Sequence, residues 1–169
     1  MRVRHLVSER KIERYDTGWS INDLPPRHAP IFAKTRPIRA GWKWRSARAE
    51  GVADNHILEE PVRSYILTAI CNPSRDNWKA FLIVETADGP SVVGRFEYHG
   101  SHPGIHIHTH CERCGIEIGG SGLDNLVRVP PAGQFHRRVN AWTEGTFWTA
   151  AKRFFRIEDD NGPLFNHGA

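Results

Sequence analysis

The sequence predicts an α+β domain in which an antiparallel β-sheet, with a partial β-barrel as its alternative form, carries an extended N-terminal arm and a C-terminal amphipathic helix. Three observations support this prediction. Short runs of alternating apolar residues fill the middle of the chain, the first third has little periodic pattern, and one late run has helical periodicity. The 169 residues are 39% hydrophobic, which is enough for one ordinary core, so we expect a single domain over residues 1–169.

Residues 1–58 are expected to form an irregular basic arm. Four prolines lie between positions 25 and 37, and regular apolar spacing is scarce. Residues 1–50 hold 12 Lys and Arg against 5 Asp and Glu, whereas the remaining residues hold 11 against 14. Such an asymmetry suits an anionic partner such as nucleic acid, although a solvated basic face is the commoner cause.

Within this arm, the run RPIRAGWKWRSAR mixes basic residues with tryptophans. The candidate nucleic-acid contacts are Arg36, Arg39, Trp42, Lys43, Trp44, Arg45 and Arg48. Arginine and lysine bind backbone phosphates, and tryptophan stacks on bases. The favoured alternative is a half-buried strand, in which the two tryptophans point to one face and Lys43 and Arg45 form a solvated basic side.

Residues 59–141 are expected to form a β-rich, metal-binding core. Residues 63–71 and 78–86 are rich in β-formers and flank the turn residues NPSRDN, so they predict a hairpin. The runs SVVGRFEYHG and IHIHTH continue the alternation after further turns. Together these four runs predict an antiparallel meander, and LVRV at residues 126–129 predicts one more short strand that ends before Pro130.

The C-terminal helix is expected over residues 142–157. The run TEGTFWTAAKRFFRI has a threonine suited to cap the helix, an early glutamate and late basic residues. Apolar residues recur at helical spacing at Phe147, Ala151, Phe154 and Phe155. This stripe is predicted to be core, because an amphipathic helix buries its apolar face against the sheet.

Apolar runs such as Ala80–Val84 are far shorter than the roughly 20 residues that span a bilayer. The first residues carry scattered charges and no apolar segment typical of a signal peptide. Three cysteines, two of them in a CxxC, favour metal or redox chemistry in a reducing compartment over a disulfide scaffold. We therefore expect a cytoplasmic protein without a membrane partner, and the oligomeric state stays open.

The densest concentration of metal-binding residue types lies in HGSHPGIHIHTHCERC. Its candidate ligands are His99, His102, His106, His108, His110, Cys111 and Cys114. Imidazole and thiolate are the preferred ligands of zinc and also serve other transition metals, whereas magnesium and calcium prefer oxygen. The run therefore predicts a divalent transition metal, with zinc favoured and iron or manganese as alternatives.

Two arrangements of this site stay open. Residues two apart in a strand share a face about 6.6 Å apart, so one HxH pair can converge on an ion. His106 and His110 would lie about 13 Å apart, too far for one ion without a bend. An HxH pair with a carboxylate and a later histidine would form an open, catalytic site. The closed alternative is a structural Cys2His2 zinc site formed by Cys111, Cys114, His99 and His102.

The same region resembles the cupin family. The first cupin motif, G-x5-HxH-x3-E-x6-G, fits Gly100, His106, His108, Glu112 and Gly119. The end of the second motif, P-x-G-x2-H-x3-N, fits Pro131, Gly133, His136 and Asn140. The match covers residues 100–140, but Asn125 stands where the second motif begins with glycine, and the motifs are closer together than in cupins. The resemblance implies a β-barrel that binds a divalent metal through His106, His108, Glu112 and His136.

The sequence thus leads to two functional hypotheses. The first is a metal-dependent enzyme acting on a small molecule, either a hydrolase or an oxygenase, in which Glu97 or Glu112 is the general base if it does not bind the metal. The second is a nucleic-acid-binding or toxin-like module, in which the Cys2His2 zinc is structural and the basic arm grips phosphate.

Overall fold

The computed structural model describes residues 3–52, 62–100, 102–110, 126–129 and 141–160, which form one eight-stranded sheet with two helices. The helices are α1 (Val3–Ser8) and α2 (Glu144–Phe154). The strands are β1 (Lys11–Asp16), β2 (Lys43–Gly51), β3 (Ser64–Asn72), β4 (Asn77–Thr86), β5 (Gly89–His99), β6 (His102–His110), β7 (Leu126–Val129) and β8 (Ile157–Glu158).

The strand order across the sheet is β7-β6-β5-β4-β3-β2-β1-β8. Every neighbouring pair is antiparallel except β1 and β8, which are parallel. The predicted four-stranded meander is confirmed as β3 to β6, and the short strand LVRV is confirmed as β7. Within the described residues the sheet is open, with β7 at one edge and β8 at the other.

The prediction of an irregular arm is wrong for β1 and β2, which lie side by side in the sheet. Neither strand shows apolar alternation in its sequence. The buried side chains of β2 include the small residues Ala47 and Ala49, and the one fully buried side chain of β1 is a lysine, Lys11. The predicted arm also contains the helix α1, and the segment between β1 and β2, residues 17–42, has isolated bridges and one short 3-10 turn but no strand.

One face of the sheet, here called the helix face, is covered by α2. Phe147, Trp148 and Ala151 pack against alternate residues of the central strands. The predicted helix is confirmed, with Thr143 as its N-cap in a capping box with Thr146. In the described part of the chain, neither helix has the length and apolar character needed to cross a bilayer.

The opposite face, here called the arm face, is covered by residues from the segment 17–42. Leu24, Ala29 and Ile31 pack there on a second apolar cluster. The sheet contributes Trp44, Ile66, Ile70, Phe81, Ile83 and Val92 to this cluster. The arm-side cover therefore lies over β2, β3, β4 and the beginning of β5, and the candidate site begins beyond it.

Candidate functional site

The arm face becomes polar where β5 meets β6. We call its side chains there the histidine cluster, which consists of Arg95, Glu97 and His99 from β5 and His106 and His108 from β6. Side chains alternate along a strand, and the intervening residues such as Phe96 and Ile107 are buried on the helix face. The register pairs Glu97 with His106 and Arg95 with His108, so the five side chains share one patch.

Glu97 is the centre of this cluster. Its Oε1 lies 3.1 Å from Nε2 of His108, and its Oε2 lies 3.2 Å from Nε of Arg95. Arg95 Nη2 is also 3.3 Å from Oε1. Glu97 is only 7% exposed, and a buried carboxylate is stable only when charged or hydrogen-bonding partners compensate for the lost water. A guanidinium and an imidazole provide that compensation here.

The imidazoles lie close to one another. The rings of His99 and His106 stack with their centres 4.9 Å apart and their planes 6° apart. Burial and, to a smaller extent, Arg95 lower the pKa of His108, although Glu97 opposes this change. The neutral imidazole is therefore favoured, and this is the form that binds metal ions.

The predicted metal ligands fall into two groups. The structure brings His106 and His108 together on one face, with Glu97 beside them and His99 stacked on His106. By backbone position, His102 and His110 lie at the two ends of β6. The other predicted ligands lie outside the described residues, and they are Cys111, Glu112, Cys114 and His136. Among described residues, no group of three or more His, Cys, Asp or Glu is arranged to hold a metal ion.

Three of the predicted nucleic-acid contacts are used by the fold itself. Lys43 pairs with Glu144 of α2, and this contact raises the pKa of Lys43. Arg45 donates to both carboxylate oxygens of Asp16, and its Cζ lies 4.8 Å from the centre of the Trp148 ring. Trp44 is buried and donates from Nε1 to a backbone carbonyl. As predicted, Trp42 and Trp44 lie on the same face of the sheet, which is the arm face. The opposite side, with Lys43 and Arg45, was expected to be solvated, but these two side chains contact Glu144 and Trp148 of α2.

The other predicted contacts remain at the surface. Arg36, Arg39 and Trp42 line a cavity of about 540 Å³ on the arm face, and Arg48 is exposed and donates to the Arg27 carbonyl. A fourth side chain of this cavity, Arg75, is absent from the sequence prediction. It lies in the turn between β3 and β4, far from the basic run in sequence, so only the pairing of β3 with β2 brings it there.

Comparison of the chain with protein-family models, with curated proteins and with solved structures finds no match. The resemblance to cupins over residues 100–140 stays a prediction. The functional case therefore depends on the histidine cluster and on the arginine-lined cavity.

Proposed function

We propose that this protein binds a divalent transition metal at His106 and His108 and acts as a metal-dependent enzyme. Zinc is the favoured metal, with iron or manganese as alternatives. The observation that supports the proposal is the position of both imidazoles on one face of β6, with the Glu97 carboxylate 3.1 Å from His108.

The donor chemistry of the described residues fits such an ion. Imidazoles are ligands in zinc, iron and manganese sites alike, so His106 and His108 supply two ligands and Glu97 stays outside the ligand set. A metal-bound histidine also commonly donates its second ring N–H to a carboxylate, which fixes the orientation of the ring. The contact between Glu97 and His108 Nε2 is of this type, and it leaves Nδ1 of His108 for the metal.

From the sequence, we propose that Glu112 and His136 complete the ligand set. A metal held by few protein ligands keeps positions open for water or substrate, where it supplies Lewis-acid or water-activating chemistry. Hydrolysis and oxygen chemistry both remain compatible with this set.

The protein's own groups have a positioning role in this proposal. Glu97 forms ion pairs with His108 through Oε1 and with Arg95 through Oε2, and its Oε1 also accepts from Arg95 Nη2. We therefore assign Glu97 to orienting His108, and Arg95 to holding Glu97. Glu112 takes the role of general base only in the arrangement in which it does not bind the metal.

The test is elemental analysis of the purified full-length chain, before and after incubation with zinc, iron or manganese. We expect one equivalent of metal in the wild type and none in His106→Ala/His108→Ala. The control is His5→Ala, which removes an exposed histidine of α1 and should retain the metal. Melting curves of each variant separate metal loss from unfolding.

Two further variants sharpen the result. Glu97→Gln keeps the side-chain shape and should weaken metal affinity by about 10- to 100-fold if Glu97 orients a ligand. Cys111→Ser/Cys114→Ser should leave the fold intact. Loss of metal and fold together in the cysteine variant would identify a structural zinc site and overturn the enzyme proposal. A wild type that binds no stoichiometric metal would overturn the site altogether.

A further inference from the structure

The cavity on the arm face has the size and position of a ligand site. Its volume of about 540 Å³ lies within the range of roughly 300–1,000 Å³ that is typical of small-molecule pockets. The side chains that give it its character are Arg36, Arg39, Arg75, Trp42, Ile38 and Ile70. It therefore combines three cationic groups with an aromatic ring and an aliphatic surface.

The three arginines of the cavity are not ion-paired in the part of the chain that the structure describes, although the Asp23 carboxylate accepts from the backbone N–H of Ile38 in the cavity lining. In the described part of the chain, no carboxylate forms an ion pair with any of them and no acidic residue lines the cavity, whereas Arg14 and Arg45 are both paired with acids. Arg36 lies 4.8 Å from the centre of the Phe32 ring, a contact that orients its guanidinium. Guanidinium groups match phosphate oxygens by paired hydrogen bonds, so the cavity favours a phosphate-bearing ligand.

The tryptophan narrows the class of ligand. Trp42 is half-buried on the second apolar cluster and still lines the cavity. An indole face beside arginines can stack on a nucleic-acid base while the arginines bind its phosphate. A purely inorganic anion would leave the Trp42 ring and the isoleucine side chains without a complementary surface.

The cavity and the histidine cluster share the arm face. The register aligns Ile70 of the cavity with Lys79, Lys79 with Glu97, and Glu97 with His106. At about 4.8 Å between strands, β3 is about 10 Å from β5 and about 14 Å from β6. Lys79 is partly exposed, so one cationic side chain lies between the cavity and the histidine cluster.

We propose that the cavity binds a nucleotide unit, with its phosphate on the arginines and its base on Trp42, and that the substrate of the histidine cluster is therefore a nucleotide or a single-stranded nucleic acid. The binding step stands on the cavity alone. The further step, that the bound molecule reacts at His106 and His108, rests on the proposed function.

Binding is measured on the metal-free full-length protein in EDTA, by fluorescence anisotropy of a labelled single-stranded oligothymidylate at about 50 mM and about 200 mM salt. Arg39→Ala/Arg75→Ala should weaken binding at least about tenfold and reduce its salt dependence. The matched control is Arg10→Ala/Arg153→Ala, which removes two exposed arginines away from the cavity and should leave the affinity unchanged.

Competition distinguishes the sources of the nucleotide unit. Displacement of the oligonucleotide by AMP at similar concentration identifies a mononucleotide site, whereas displacement only by unlabelled strand identifies a nucleic-acid site. Equal competition by inorganic phosphate and AMP would show that the base is not recognised and would overturn the proposal. The proposal would also be overturned if Arg39→Ala/Arg75→Ala and Arg10→Ala/Arg153→Ala weakened oligonucleotide binding equally. It would be overturned as well if the wild type did not bind the oligonucleotide at about 50 mM salt.

Because metal is absent from this assay, the two proposals fail separately. Nucleotide binding without stoichiometric metal in the reconstituted protein would contradict the proposed function and the reaction step that rests on it, but not the assignment of the cavity. Stoichiometric metal without nucleotide binding would contradict only the assignment of the cavity.

Discussion

Lys11 of β1 provides a sensitive test of how the two helices pack on the sheet. It is fully buried, and its amine contacts the ends of both helices. Its side chain is 0% exposed at the first position of β1. Its Nζ donates to the carbonyls of Val7, Glu9 and Phe155, at 3.3, 2.9 and 3.0 Å. These carbonyls belong to the ends of α1 and α2, where backbone acceptors lack helical partners.

Burial lowers the pKa of Lys11 from 10.5 to about 8. Between these pH values the unfolded chain keeps the proton on Lys11 while the folded chain releases it. The unfolded state then binds more protons, so the free energy of unfolding must rise with pH across this interval. The difference of about 2.5 pKa units corresponds to a gain of about 3 kcal/mol, complete near pH 10.5.

The titration of two other groups lowers the free energy of unfolding as the pH rises. The pH dependence of the wild type alone therefore does not report on Lys11. Burial raises the pKa of the Cys71 thiol to about 12 and also raises the pKa of Tyr65. At high pH these groups ionise in the unfolded chain first, which lowers the free energy of unfolding. A variant without the Lys11 amine retains both effects, and the difference between the two proteins therefore isolates Lys11.

The assay is urea unfolding of the wild type and Lys11→Met at several pH values between 7.5 and 10.5. The free energy of unfolding of the wild type minus that of the variant should increase by about 3 kcal/mol over this range. The control is Lys34→Met, whose exposed side chain should give a flat difference. A flat difference for Lys11→Met as well would refute the burial of this amine.

Two further predictions test the core. Phe147 is fully buried against two aromatic rings of the sheet, so Phe147→Ala should lower the free energy of unfolding by about 3–5 kcal/mol in urea, whereas the exposed Thr149→Ala should change it little. A cost below about 1 kcal/mol would contradict the packing of α2. In the Cys111→Ser/Cys114→Ser background, Cys71 should react with a maleimide only as fast as the protein unfolds, because burial excludes the reagent and suppresses the thiolate. Labelling at the rate of a free thiol in native buffer would show that Cys71 is accessible.

The meander was predictable from the sequence because each of its strands pairs with the next along the chain. In β3 and β4 many of the buried residues are large and β-branched or aromatic, such as Ile66, Phe81 and Ile83, so the sequence itself carries the strand signal. In β2 the corresponding positions include Ala47 and Ala49, which have low β-propensity and fit there because Leu6 and Tyr65 pack in the same cluster. The strands β1 and β2 therefore depend on tertiary packing, which cannot be predicted from the apolar pattern of their own residues.

In the candidate site, too, the features that depend on neighbouring residues in the chain were predictable, and those that depend on strand pairing were not. Strand alternation alone places His106 and His108 on one face, as expected of an HxH pair. The contact of Glu97 with His108 depends instead on the register of β5 against β6, which shifts between Tyr98 and His99. Arg75 enters the cavity only because the β3–β4 turn lies beside the residues that precede β2, so no motif in the sequence could identify it.

The surroundings of Glu97 on the arm face explain why Glu97→Gln tests two things. It tests whether Glu97 orients His108 for metal binding, and it tests how much Glu97 contributes to stability. Apolar side chains from residues 17–42 cover the face as far as the start of β5, and the histidine cluster lies beyond this cover. Glu97 is nevertheless only 7% exposed, so its carboxylate is tolerated because Arg95 and His108 bind it. Glutamine keeps one acceptor oxygen for these donors but loses the negative charge. If the variant melts at the wild-type temperature and has a lowered metal affinity, the loss comes from the missing charge of Glu97 and not from unfolding, as expected of a carboxylate that orients His108.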